Sequence, residues 1–196
     1  MWICEPIRPA LVLGSTQRGL AVESEPVSAG DVDLVVRHSG GGAVLLLPDQ
    51  TTWVDLVIPV GHHLWDPDVG RATHWVGELW ATALAAVGVD AGVHRGPMQP
   101  SEWSRVICFA GIGPGEVLDT EGHKLVGVSQ RRTRHAARFQ TVAYHLCDPA
   151  AVVDVLELDA KDRRAAMATT AATSRPLTVG VAPVLDALVA ALADLV

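Results

Sequence analysis

The stretch Arg37-His38-Ser39-Gly40-Gly41-Gly42-Ala43-Val44 decides how this chain is read, because it sets three adjacent glycines directly before an apolar strand. Each glycine gives up more backbone entropy on folding than any other residue would, so a triplet is a costly choice. What the triplet supplies is close approach: without Cβ atoms, successive backbone N–H groups can turn outward as a concave nest for an anionic oxygen. Arg37 adds a planar fork of donors suited to phosphate or carboxylate. Two readings stand at this point, a flexible hairpin turn and an anion-binding loop.

Charge is distributed unevenly around that loop. The chain carries a net −7, yet between Gly122 and Cys147 there is no Asp or Glu, and Lys124, Arg131, Arg132, Arg134 and Arg138 contribute +5, leaving −12 for the remainder. A local basic patch on an acidic protein argues for an anionic ligand or partner and against general nucleic-acid binding, which usually enlists a broadly basic surface. A solvated arginine-rich hairpin is the other reading of the same segment. Of fifteen basic residues only Lys124 and Lys161 are lysines, so the ammonium at Lys124, between Gly122 and Gly127, stands apart.

At 196 residues, 49% of them hydrophobic, and with a mean hydropathy of +0.27, the chain has the size and apolar content of one domain with a substantial core. No apolar run reaches the roughly 18 residues needed to cross a bilayer, and the N-terminus lacks a basic start and cleavage site. A cytoplasmic location away from membranes is expected. Cys4, Cys108 and Cys147 are odd in number and widely spaced, which predicts free thiols rather than a disulfide framework or zinc site. His62-His63-x-x-Asp66-x-Asp68 is not expected to bind metal, because adjacent histidines on a strand face opposite ways.

Short apolar runs at 11–13, 34–36, 43–47 and 53–58 predict hairpin-like strands in the first third, each stopped by Gly or Pro. From 71 to 87 apolar residues recur at three- and four-residue steps, predicting an amphipathic helix ended by Gly88. Strands are expected again at 105–109, 116–118, 125–130 and 139–146. Asp148-Pro149 predicts an N-cap followed by proline at the first helical position, opening a helix to about 156, with further helices at 159–168 and 181–195. This order describes an α+β (mixed α/β) fold with a largely antiparallel central sheet flanked by helices. The whole chain, 1–196, reads as a single domain, its motifs within 11–147 and its last helices in 148–196.

Four segments, in order, resemble the biotin/lipoate protein ligase superfamily, in its lipoate ligase and octanoyl transferase branch. Gly14-Ser15-Thr16-Gln17 is similar to the family's G-x-x-Q turn, and Arg37–Val44 to its R-R-x-S-G-G-G-A-V signature. Cys108-Phe109 with Gly115-Glu116 forms the third segment. Gly122-His123-Lys124-Leu125-Val126-Gly127-Val128-Ser129-Gln130 resembles G-x-K-x-x-G-x-x-Q. The sequence departs from the family at His38, where a second arginine is usual, at Thr51-Thr52-Trp53 in place of G-N-L, and at Gln140-Thr141 in place of H-G. From this sequence neither the family's opening helix before the first strand nor an accessory C-terminal domain is expected.

The resemblance implies a catalytic domain of the class II synthetase and biotin-ligase kind. It implies an enzyme that attaches a lipoyl or octanoyl group to a lysine of a carrier domain through an acyl-adenylate, with ATP and Mg²⁺ as co-reactants and lipoate or octanoate as acyl substrate. Lys124 would be the catalytic residue. Gln17, Arg37, Ser39, Gly40, Gly41, Gly42, Ala43, Gly127 and Val128 would bind substrate. The partners implied are lipoyl-carrier domains of 2-oxoacid dehydrogenases or the glycine cleavage H protein, and acyl carrier protein, with no nucleic acid or membrane. Two alternatives stay open: ATP-independent transfer with Cys108 as thioester nucleophile, activated by Lys124 sixteen residues on, and a non-catalytic acyl- or nucleotide-binding relative. An apolar slot for the acyl chain is expected near Val44, Val128 and one or more of Trp53, Trp65 and Trp75, although core packing is the usual role of a tryptophan.

Overall fold

The computed structural model describes residues 1–17, 27 and 29–195. Two sheets organise them. Strands β1 (Trp2–Cys4), β5 (Thr51–Pro59), β9 (Ala136–Tyr144), β8 (Lys124–Arg132), β7 (Val117–Asp119) and β6 (Ala91–Val93) form, in that spatial order, a six-stranded antiparallel sheet. Strands β3 (Asp33–Val36), β2 (Ala10–Leu13) and β4 (Val44–Leu46) form a three-stranded sheet in which β2 pairs parallel to β3 and antiparallel to β4.

Period-two alternation along β5 fixes how the layers stack. Val54, Leu56 and Ile58 face a core with Trp80 and Leu84 of α1 (His74–Ala86) and Val184 and Leu188 of α3 (Val181–Ala193). Trp53 faces the opposite way, onto Val12, Val44, Leu46, Phe109 and Tyr144. The outer face of the small sheet, Leu11, Leu13 and Leu45, is covered by the 3₁₀ segment Pro149–Val155 and by Ala166 of α2 (Ala160–Thr173). Each large apolar side chain sealed in these layers contributes roughly 1.5–3 kcal/mol relative to exposure. No helix of the described residues is long and apolar enough to cross a membrane.

Three expectations are corrected. β3 and β4 are not a hairpin, because both lie against β2; the glycine run therefore crosses over the end of β2 instead of turning tightly. Residues 105–109 are turns leading into a 3₁₀ helix, Cys108–Ala110, not a strand. Their backbone groups are met by a single rung to the glycine strand, Ala43 N–H to Val106 O and Cys108 N–H to Ala43 O, while the Ser101 hydroxyl accepts from Trp103 N–H and bends the approach. The helix opened by Asp148 is 3₁₀ rather than α; its cap is as expected, with the Asp148 carboxylate accepting from Ala150 N–H at 2.8 Å.

Candidate active site

Gly42 is glycine because the 107–108 backbone leaves no alternative. A Cβ at that position would lie 2.6 Å from both Ile107 C and Cys108 N. Gly41 has φ +97°, a left-handed conformation that other residues rarely adopt, whereas Gly40 has open space around its α-carbon. Across the loop, a side chain on Gly14 would overlap the Gly41 carbonyl, so the G-x-x-Q turn and the glycine run are pressed together.

Arg37 lies under this loop, not in front of it. It is 6% exposed, and its Nη2 donates to Gly40 O and Gly42 O, each at 2.9 Å. Arg37 thus engages Nε and Nη2 of the expected fork on carbonyls, and its Nη1 has no partner among the described residues. By drawing those carbonyls inward it leaves the other polar groups of the loop outward: among the described residues no hydrogen bond engages the N–H of Gly40, Gly41 or Gly42. Gln17 is a brace of the same kind. Its Oε1 accepts from Gly14 N–H at 2.9 Å, and its Nε2 donates to Arg105 O and Val106 O. Ser39 is buried, donating to Gln140 Oε1 at 2.7 Å, and Ala43 is the rung to the 106–108 segment.

Lys124, the first residue of β8, reaches the other wall. Its Nζ donates to Cys108 O and Gly111 O, both at 2.6 Å, and pairs with the Glu116 carboxylate at 3.0 Å, lysine and glutamate side chains being 1% and 5% exposed. The ammonium also sits 4.9 Å from the Phe109 ring centre. Glu116 further accepts from Gly113 N–H at 2.7 Å and Val128 N–H at 3.2 Å. One carboxylate thereby fixes the lysine, the 111–115 turn and β8 together.

The glycine loop and Lys124 meet in one cavity of about 260 Å³, whose lining includes Gly40, Gly41, Gly42, Cys108, Glu116 and Lys124. At Gly41, Met98 and Ser104 it joins a wider hollow of about 730 Å³ that reaches Thr16 and Gln17. Gln130 also lines the cavity; its Nε2 donates to Val69 O, and its buried Oε1 has no partner among the described residues. Beneath the glycines, Gly127, Val128, Trp53 and Val142 border a small void of about 10 Å³. A Cβ on Gly127 would come within 3.3 Å of Phe109.

The structure therefore brings Lys124, Gly40–Gly42, Cys108 and Val128 to one cavity, and Gly127 to the void beside it. Gln17, Arg37, Ser39 and Ala43 act behind that surface, holding it in shape. Of the three tryptophans only Trp53 reaches the void; Trp65 and Trp75 pack against the helical core. Arg132 does not approach the glycines in place of the arginine that His38 replaces, because it lies over Trp65 and donates to Asp66 O and Pro67 O. Asp66 and Asp68 are bonded to Arg71, with both carboxyls held below the usual range chiefly by those hydrogen bonds. Glu116 and Gln130 were quoted within motifs but not expected to act. The signal for Glu116 was its place eight residues before the isolated lysine; the buried, unpartnered oxygen of Gln130 left no trace in the sequence.

With this geometry in place, comparison with known proteins is informative. A family model described as the lipoyl protein ligase A/B catalytic domain matches residues 1–192. No curated protein matches the sequence. Among solved structures, the chain is similar to a bipartite lipoate protein ligase studied with its E2 lipoyl domain from Thermoplasma acidophilum, with a TM-score of 0.70 at 19% identity, over 95% of this chain and 67% of that one. A T. acidophilum lipoate ligase structure with bound lipoic acid gives 0.68 at 14% identity, over 95% and 68%. A lipoate-protein ligase A bound with ATP gives 0.66 at 14% identity, over 95% and 68%. At these identities the structures establish a shared fold.

Proposed function

Since this chain belongs to the lipoyl protein ligase A/B catalytic-domain family, we propose that it attaches a lipoyl or octanoyl group to the lysine of a carrier domain by way of an acyl-adenylate. The observation that carries this reading is the single cavity lined by both Lys124 and Gly40–Gly42, whose N–H groups have no partner among the described residues. In the first step the acyl carboxylate displaces pyrophosphate from the α-phosphorus of ATP. In the second, the carrier's amine displaces AMP from the acyl carbon and sheds a proton. Both steps concentrate negative charge at one point, which fixed N–H donors and an ammonium stabilise.

The glycine N–H groups would cradle the α-phosphate, and Lys124 would exchange one carbonyl partner for the acyl or phosphoryl oxygen. The wider hollow beyond Gly41 would take the nucleotide; the use of lipoate and ATP accords with the two structural relatives solved with lipoic acid and with ATP. Magnesium would enter on the phosphates, being usually held by one or two carboxylates plus substrate oxygens. The carrier would be a lipoyl domain of a 2-oxoacid dehydrogenase or the glycine cleavage H protein, by analogy with the relative solved with its E2 lipoyl domain. The three free thiols accord with a reducing cytoplasm.

A second route uses Cys108, which lines the same cavity. Its thiolate would accept an octanoyl group from acyl carrier protein, releasing the carrier thiol, and pass it to the lysine without ATP. Lys124 touches the Cys108 carbonyl and not its sulfur, which favours the adenylate route. Intact-mass analysis of a lipoyl domain incubated with the protein, lipoate, ATP and Mg²⁺ tests the proposal. The domain should gain one lipoyl group, and Lys124→Met should abolish the gain while retaining the fold by circular dichroism. A gain that needs no ATP, with an acyl adduct on Cys108 from octanoyl carrier protein, replaces the adenylate with the thioester; no acylation by either route refutes both.

A further inference from the structure

The small void beneath the glycine loop has two neighbours. It shares Cys108, Val128 and Ser129 with the Lys124 cavity. On its far side it shares Arg37, Trp53 and Gln140 with a separate hollow of about 420 Å³, which opens beside the N-terminal segment. Ala10, Val12, Val35 and Leu46 give that hollow apolar walls. We propose that it is the far compartment of the acyl slot, so that the enzyme accepts fatty-acyl chains longer than eight carbons, threaded under the glycine loop from Lys124 to the β2 and β3 strands. The inference rests on the acyl-transfer reading of the Lys124 cavity.

The charges around the hollow leave it fit for an apolar chain rather than for a second anion. Arg37 turns its Nε and Nη2 onto Gly40 O and Gly42 O. Arg138 is paired with the fully buried Asp55, and Arg8 lies 3.7 Å from Asp33. A bound fatty acid would therefore place its carboxylate at Lys124 and its tail in the hollow.

Between the two compartments the void holds no more than a single water. Beside it lies a hydrogen bond that a threaded chain would have to part, Ser39 Oγ to Gln140 Oε1, with Ser129 Oγ 3.0 Å from the same hydroxyl. Gln140 is the fixed side of this latch. Its Nε2 donates to Asp55 Oδ1 at 3.0 Å, and Asp55 is held in turn by Trp53 Nε1 and Arg138, so rotating the amide would strip a buried carboxylate of a donor. Ser39, the other side, would have to give way to a threaded chain; it precedes Gly40, whose α-carbon has open space around it. Gln140 is also where the sequence departs from the family's H-G pair, which makes the latch a feature of this chain.

Equilibrium binding of octanoate and dodecanoate to the intact chain, and to Val35→Trp, tests the proposal. Each methylene that enters an apolar compartment improves affinity about fourfold, so dodecanoate should bind more than about tenfold tighter than octanoate even with partial entry. Val35 lines the hollow and is 46% exposed, so a tryptophan there blocks the mouth without disturbing the core. It should remove the advantage of dodecanoate and leave octanoate unchanged. Octanoate binding without any gain for dodecanoate, or a gain that Val35→Trp does not touch, overturns the far compartment alone. If neither acid binds, the acyl-transfer reading falls with it.

Discussion

Removing the Glu116 carboxylate while leaving Lys124 in place is the most revealing perturbation of this site. The ammonium has three N–H donors and three partners: Cys108 O, Gly111 O and Glu116. Glu116→Ala leaves one donor of a nearly fully buried cation unmatched, and it also strands the N–H groups of Gly113 and Val128. Breaking a buried ion pair from one side costs about 3–5 kcal/mol. Because the pair borders a cavity that water can enter, the lower end applies, about 3 kcal/mol. For a chain of this length that lowers Tm by about 6–12 °C. Lys124→Met should cost a comparable amount by stranding the carboxylate, but the double variant should lose no more than the worse single one, since neither charge is then left alone. Calorimetry or urea unfolding of the four proteins measures this cycle directly. Singles within about 1 kcal/mol of wild type, or costs that simply add in the double, would show that the pair is not the keystone argued for here.

The glycines should differ sharply from one another. Gly42→Ala forces a Cβ against the 107–108 backbone and should cost about 2 kcal/mol or more, whereas Gly40→Ala should stay within about 0.5 kcal/mol, as read from urea midpoints. His145 should give the fold a pH dependence. It is buried, its Nδ1 facing Val179 O and its Nε2 facing Thr52 Oγ1, and burial lowers its pKa below 6.5 despite the bond to Val179. The unfolded chain therefore binds a proton that the folded one refuses, so this contribution is complete above the unfolded pKa and is lost as pH falls from there towards the folded value. Unfolding midpoints should drop between pH 7 and pH 5 by more in wild type than in His145→Gln; equal drops would exclude His145 as the cause.

Much of this arrangement was legible in the chain itself. The strands at β2, β4, β5, β8 and β9 and the helices α1 and α3 follow from apolar periodicity bounded by Gly and Pro, because those segments are long or clearly stopped. β1 and β6, three residues each, offer too little pattern. The 105–109 run was misread because apolar content alone does not separate a strand from a buried turn; a tertiary contact, the approach allowed by Gly42, settles it. Residue types disclosed which side chains gather around the cavity more reliably than which way they point. Lys124 was singled out by scarcity and does line the cavity, but Arg37 was assigned to a ligand and instead serves its own loop. The sequence carries no sign that two carbonyls would need those donors first.

The central claim is that one cavity holds an activated acyl group between the glycine N–H groups and Lys124. A crystal structure with a non-hydrolysable lipoyl-adenylate analogue tests it most directly. The account predicts a phosphoryl-position oxygen at about 3 Å from N–H groups of Gly40–Gly42, and Lys124 Nζ moved from one of its protein acceptors to a ligand oxygen. An analogue bound elsewhere, or bound while Lys124 keeps all three protein partners, would contradict it.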